Sequence, residues 1–288
     1  MTFKSSALAP SGSALEIDIV KAPPRKSKPR RLPVRKQWST AGILATQASI
    51  VIGGLLLWEF AARIRLVDPF FWSQPTAIWA TAVIFFTQGN AYLDIAHTFR
   101  STLLGFFIGT SLGAMLGLSF WWSGNYARVA QPFVICLESM PKLALAPLIV
   151  LVFGMGLTSK VAIASALTIV VSTLTAYSGV QAVDKDQERL FYSLGATRWQ
   201  VFSKLVVPSC LPWIISVLRV NIGLALTGSI VGEFIASEYG LGKTILYAGQ
   251  TYEIALVWVA VLVLSALSML MYAAVSWLEN LLRKGVVR

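Results

Sequence analysis

Hydrophobic and polar positions in this chain fall into long blocks rather than a fine alternation. The first apolar block, "AGILATQASIVIGGLLLW" (Ala41 to Trp58), is closed by Glu59, Arg63 and Arg65. A second, "STLLGFFIGTSLGAMLGLSFWW", runs from Ser101 to Trp122, and a third from about Gln131 to Phe153, with Glu138 and Lys142 near one end. The fourth lies between Lys160 and Asp184, the fifth from about Leu211 to Phe234, and the sixth between Glu253 and Glu279. Crossing a bilayer takes about 20 apolar residues at the helical rise of about 1.5 Å each. The pattern therefore predicts an all-α, polytopic membrane protein with six transmembrane helices.

Two further segments depart from this pattern. "PTAIWATAVIFFTQG" (Pro75 to Gly89) is too short for a comfortable span and is preceded by the breaker Pro75, so it is expected as an amphipathic helix on the outer interface. "DQERLFYSLGATRWQVFSKLVVPSCLP" (Asp186 to Pro212) reads instead like the surface of a soluble protein. Its first part is expected to form a short helix ended by Gly195 in the left-handed conformation. Thr197 and Gln200 have capping-box spacing and should start a second helix. Pro208 and Pro212 mark the way into the fifth span. Within the second span, Gly105, Gly109, Gly113 and Gly117 recur every four residues, a face that another helix can approach closely.

Composition supports this reading: 56% of the 288 residues are hydrophobic and 13% charged, roughly half the charged share of a soluble domain. The net charge of +11 does not point to nucleic acid, because nine of the 24 Lys and Arg precede Trp38 in a Pro-rich tail expected to be disordered (residues 1–38, with residues 39–288 as the membrane domain). Six spans put both termini on one side. Segments on that side carry 17 Lys and Arg against five on the other, which places the termini and the polar insert, about residues 184–210, in the cytoplasm. Arg30-Arg31 is not read as an export signal, since no small-residue cleavage site follows the first apolar run. Cys136 and Cys210 are expected as small core residues, and His97, the only histidine, as structural.

Charged residues inside spans are costly and are candidates for the path or a gate. Glu138 and Lys142 are four residues apart and either pair structurally or form a gate, with Pro141 bending the helix between them. Pro147, Gly154 and Gly156 add further points where the third span can bend or pack closely. Arg219 offers a planar fork of donors to an oxyanion, or else snorkels or pairs with an acid of another span. Glu233 is expected at an outer protein contact or in a pair. No Gly-x4-Gly-Lys-Ser/Thr loop occurs, and "GLGKT" at Gly240 to Thr244 lacks the first glycine, so the chain is not expected to bind ATP. No nucleophile-base arrangement or acidic metal cluster stands out.

Gly195, Leu205, Val207 and Pro208 fit G-x9-[IL]-x-[LV]-P and resemble the EAA loop of permease subunits of binding-protein-dependent ABC importers. "PKLALAPLIVLVFGMGLTSK" (Pro141 to Lys160) and "GEFIASEYGLGKTI" (Gly232 to Ile245) resemble runs of the sulfonate, taurine and nitrate branch, and the likeness covers roughly Trp72 to Leu282. The resemblance implies a type I importer permease fold in the bacterial cytoplasmic (inner) membrane. It also implies a cytoplasmic ABC ATPase dimer that binds the ATP, a second permease copy, and a periplasmic or extracellular solute-binding protein. ATPase coupling would fall to Glu188, Arg189, Leu190, Phe191, Leu194, Gly195, Ala196, Thr197 and Arg198. Arg189, Leu190 and Phe191 stand where the family has Glu-Ala-Ala, which favours apolar docking over a salt bridge. The implied solute is an alkanesulfonate or taurine, then nitrate or bicarbonate, with pyrimidine or riboflavin-like solutes carried by relatives. The alternative is a secondary carrier without an ATPase, which should show inverted repeats.

Overall fold

A computed structural model describes residues 39–286, so the expected disordered tail lies outside the described residues. They divide into two units, residues 39–50 and residues 51–286. Helix α1 (Thr40–Arg63) begins in the first. There follow α2 (Pro69–Trp72), α3 (Pro75–Gln88), α4 (Ala91–Ser119), α5 (Gly124–Ser139), α6 (Ala146–Phe153), α7 (Leu157–Gln181), α8 (Lys185–Ser193), α9 (Arg198–Val201), α10 (Val207–Ile235), α11 (Leu241–Gln250) and α12 (Ile254–Val286). Among the described residues every regular element is helical.

Among the described residues five helices are long and apolar enough to cross a membrane: α1, α4 with its closing 3-10 turn Phe120–Trp122, α7, the continuous helix Arg198–Ile235, and α12. The expected third span is not one helix. Its two parts, Gly124–Ser139 and Lys142–Phe153, meet at a bend of 80°. Proline explains the break: Pro141 has no amide to donate and holds Met140 in an extended conformation (φ −71°, ψ 139°). Pro147 sits in the first turn of α6, where a missing amide costs nothing. Counted as one crossing, the bent pair makes six among the described residues.

The fifth crossing starts earlier than expected. The second helix of the insert does not stop before Pro208 but runs into α10 through a π turn, Phe202–Val206, in which the Val207 amide donates to the Phe202 carbonyl. The wider turn lies just before Pro208 and Pro212, which supply no amides of their own. Helix α3 forms as expected but is not amphipathic. It buries Ile78 and Phe85 in the bundle core, while its outer side carries Trp79, Val83, Ile84 and Phe86.

The centre of the bundle is α4, α7 and α10. Side chains built on Gly105, Gly109, Gly113 and Gly117 would overlap Ala164, Thr168, Ile169 and Ser172, or Thr173 and Ala176, so the four glycines form one face laid directly on α7. Gly228 of α10 approaches the other side of Ala164, where an added Cβ would lie 2.8 Å from its Cα. Polar residues are buried inside, among them Thr98, Ser101, Thr102, Ser159, Thr168 and Ser229, whereas Leu57, Met269 and Leu270 are exposed. This distribution suits lipid as the solvent, where close approach of small residues and interhelical hydrogen bonds hold helices together. Cys210 is buried as expected, but Cys136 is exposed on α5.

Candidate functional site

The polar insert forms a compact helix-turn-helix. Asp184 caps α8 by accepting from the Asp186 amide at 2.8 Å. At the other end Gly195 has φ +80°, its amide donates to the Tyr192 carbonyl at 3.0 Å, and the Ala196 amide donates to Phe191 at 3.0 Å. This paired closure needs a left-handed residue where the glycine stands. Thr197 then accepts from the Gln200 amide at 3.4 Å, and the Gln200 side chain accepts from the Thr197 amide at 2.8 Å, completing the capping box.

The outer face of this turn carries Leu190, Leu194 and Trp199, with Leu194 77% exposed. Glu188, Phe191 and Ala196 are half-buried. Arg189 pairs with Asp186 of its own helix at 3.1 Å, and both side chains are open to solvent, so the pair itself contributes little. Arg198 is differently placed. One of its amino groups donates to the carbonyl of Trp122, and its guanidinium lies 5.6 Å from the Trp121 ring centre and 5.5 Å from that of Trp122. Trp199 and Phe202 complete the cluster, stacking or tilting against Trp122 at 6.0 and 5.3 Å. Nothing in the local pattern around Arg198 signals a partner 76 residues away.

The charged candidates inside the spans fall into three separate places. Glu138 and Lys142 pair at 2.9 Å across the bend, and the Lys142 amine also donates to the Glu138 carbonyl at 3.1 Å. Pro141 lies within this bridged bend and Pro147 at the start of α6. Arg219 is closed onto Glu279 of α12, which is buried and also takes Arg283 at 2.8 Å. Of the two readings for Arg219, the structure thus shows the pair with an acid of another span. Glu233 lies 14 residues further along α10, about 21 Å by the helical rise.

Glu233 is 1% exposed rather than at an outer surface. It accepts from the Thr98 hydroxyl at 2.8 and 3.0 Å and from the Gly242 amide at 2.8 Å. Asp94 of α4, also buried, accepts from the Gly240 amide and the Thr244 hydroxyl, each at 2.8 Å. Thr98 accepts from the Leu241 amide at 2.9 Å. The free amides that open α11 are thus met by α4 and α10, and two buried acids offset the positive end of that helix. His97 stacks on Tyr239 beside this junction, at 5.2 Å. Deeper in the bundle Asn221 donates to Thr110 at 3.0 Å and to Ser172 at 2.6 Å, joining α10, α4 and α7.

These placements predict an asymmetry. Glu279→Met leaves Arg219 and Arg283 without their counter-charge, whereas Arg219→Met leaves Glu279 with Arg283. Melting of the purified protein in detergent should show the first variant as clearly the less stable, since removing one partner strands the charges that remain. Equal melting temperatures would contradict the pairing.

Residues 105–284 match the family model described as "Binding-protein-dependent transport system inner membrane component". The formylaminopyrimidine transport permease of Halalkalibacterium halodurans is 33% identical over 79% of this chain and 90% of its own length. The taurine transport system permease of Escherichia coli is 27% identical over 72% of this chain and 78% of its own. Among solved structures, the inward-facing MetNI methionine ABC transporter superposes with a TM-score of 0.54 at 19% identity, covering 68% of this chain and 94% of that one.

Proposed function

We propose that this chain, which belongs to the family of binding-protein-dependent transport system inner membrane components, lines the translocation path of an ATP-driven importer and docks its ATPase through residues 184–210. It is an ABC importer permease and a multi-pass inner-membrane protein. The observation that carries the docking role is the insert itself. A rigid helix-turn-helix, fixed by Gly195 and the Thr197–Gln200 box, turns Leu190, Leu194 and Trp199 outward from a bundle whose other exposed apolar residues suit lipid. The pairing of Arg189 with Asp186 supports docking by apolar contact rather than by a salt bridge from that position. ATP hydrolysis then belongs to the partner, a cytoplasmic ATPase dimer. A solute-binding protein delivers from outside, and a second copy of this chain completes the path.

For the solute, a small nitrogen heterocycle is the first reading. Two observations favour it: the 33% identity with the formylaminopyrimidine permease, and the closure of Arg219 on Glu279, which takes up the guanidinium expected to meet an oxyanion. Taurine or an alkanesulfonate is the second reading, favoured by the taurine permease and by a putative aliphatic sulfonate permease of Bacillus subtilis that is 25% identical. The test is co-purification of the tagged chain in mild detergent. An ATPase should come with it and should be lost from Leu194→Asp, which places a charge at the centre of the apolar face. A binding protein captured alongside is then titrated with formylaminopyrimidine, riboflavin, taurine and an alkanesulfonate. A chain that purifies alone from membranes where it is active would contradict the docking role, and uptake that continues without ATP would support a secondary carrier.

A further inference from the structure

We propose that Arg198 and the Trp121–Trp122 pair form a clasp that makes the end of α4 move with the docking loop, so that the loop holds α4 directly as well as α7 and α10, to which it is joined along the chain. The inference rests on the reading of residues 184–210 as the ATPase contact. Connection to α10 is covalent, because Arg198–Ile235 is one helix. Connection to α4 is not, and depends on what holds the two segments together.

Arg198 meets α4 in two ways at once. Its guanidinium donates to the Trp122 carbonyl, a backbone group that cannot turn away, and it lies over the rings of both Trp121 and Trp122. A planar guanidinium can donate in its plane while offering its face to an aromatic ring, which a lysine ammonium cannot do. Phe202, one turn further along, closes on the same two indoles at 5.6 and 5.3 Å, and Trp199 stacks on Trp122. The contact thus combines a hydrogen bond, a cation and four aromatic rings at the junction of α4 and α5.

Beyond the junction the path is stiff. Helix α4 lies on α7 along four glycines that leave no slack, and α7 runs directly into α8 through Ala182 to Asp184. The loop is therefore held at its entrance by α7, at its exit by α10, and across its middle by the clasp. A push on Leu194 and its neighbours would be shared by α4, α7 and α10 as one block.

The test uses the full chain with its ATPase and binding protein in liposomes. Cys136→Ser and Cys210→Ala remove the native thiols, and spin labels are placed on Gly124→Cys, where a side chain meets open space, and Gln187→Cys, which is exposed on α8. The distance between them should be the same without nucleotide and with ATP trapped. In Arg198→Ala the two states should differ, and solute imported per ATP hydrolysed should fall at least about fivefold, the low end of an ordinary coupling between sites. Arg198→Lys should recover only part of that ratio.

A label distance that changes with nucleotide while Arg198 is present would overturn the clasp, even if Arg198→Ala fails to accumulate. So would an unchanged import ratio in Arg198→Ala. Absence of ATP-driven uptake in the unsubstituted complex is a different result, which would overturn the importer reading and the clasp with it.

Discussion

Gly109→Leu is expected to leave almost no folded protein in detergent extracts, seen as loss of the monodisperse peak in size-exclusion chromatography. The glycine faces α7 at a point where a Cβ would overlap the Thr168 hydroxyl and come within 2.7 Å of the Ser165 carbonyl oxygen and 2.9 Å of its Cα. Two of these three neighbours are backbone, so no rotamer change can clear the space. Extra methylenes in a well-packed interior cost about 1–3 kcal/mol even where neighbours can adjust. Here four carbon atoms would be forced against a helix that cannot yield without parting from α4. In lipid that separation is not resisted by any aversion to solvent, because close packing is itself the driving force. Gly124→Leu is the control, because a Cβ there meets nothing within 4 Å, and it should extract like the unsubstituted chain. Equal behaviour of the two variants would contradict the packing of α4 on α7.

Gly195→Val is expected to leave the chain in the membrane at normal levels and to reduce ATP-driven uptake about tenfold or more. At φ +80° a β-branched residue clashes with its own backbone, and such strain costs about 1–3 kcal/mol. A loss of about 1.4 kcal/mol shifts the ratio of competent to distorted turn tenfold. The strain falls on an exposed turn and not on the bundle, which separates this variant from Gly109→Leu. The order Gly, Asn, Ala, Val should be the order of falling uptake, because asparagine enters the left-handed region more readily than alanine. If valine transports as well as glycine, the turn does not carry the coupling.

The parts of the structure legible in the sequence were those fixed by neighbours close along the chain. The glycine face of α4 repeats every four residues and so shows itself without its partner. Gly195 and the Thr197–Gln200 box are local devices of a few residues, and both form as expected. Partners distant in sequence left no such mark. Asp94, His97 and Arg100 interrupt the apolar pattern and hid the first ten residues of α4, yet Asp94 is buried because Gly240 and Thr244 satisfy it from the far end of the chain. Glu279 marks only the edge of a span in the sequence, and of its two arginines Arg219 lies 60 residues away, though Arg283 is one turn on. Proline signalled that the third span would bend, but not that the two parts would diverge by 80°, since a single residue fixes where a helix stops and packing fixes where the next one goes.

The helix that joins the polar insert to the far end of the bundle, Arg198–Ile235, has a mechanical consequence. Its 38 residues extend about 57 Å at the helical rise, against about 30 Å for the hydrocarbon layer. Nearly half of it therefore lies beyond the oily interior. A rod of that length tilted by about 10° about one end carries the other end through about 10 Å. About an inner pivot the travel divides between the two membrane surfaces in the ratio of the two arms, so that a small tilt displaces an end by a distance comparable with the width of a small solute.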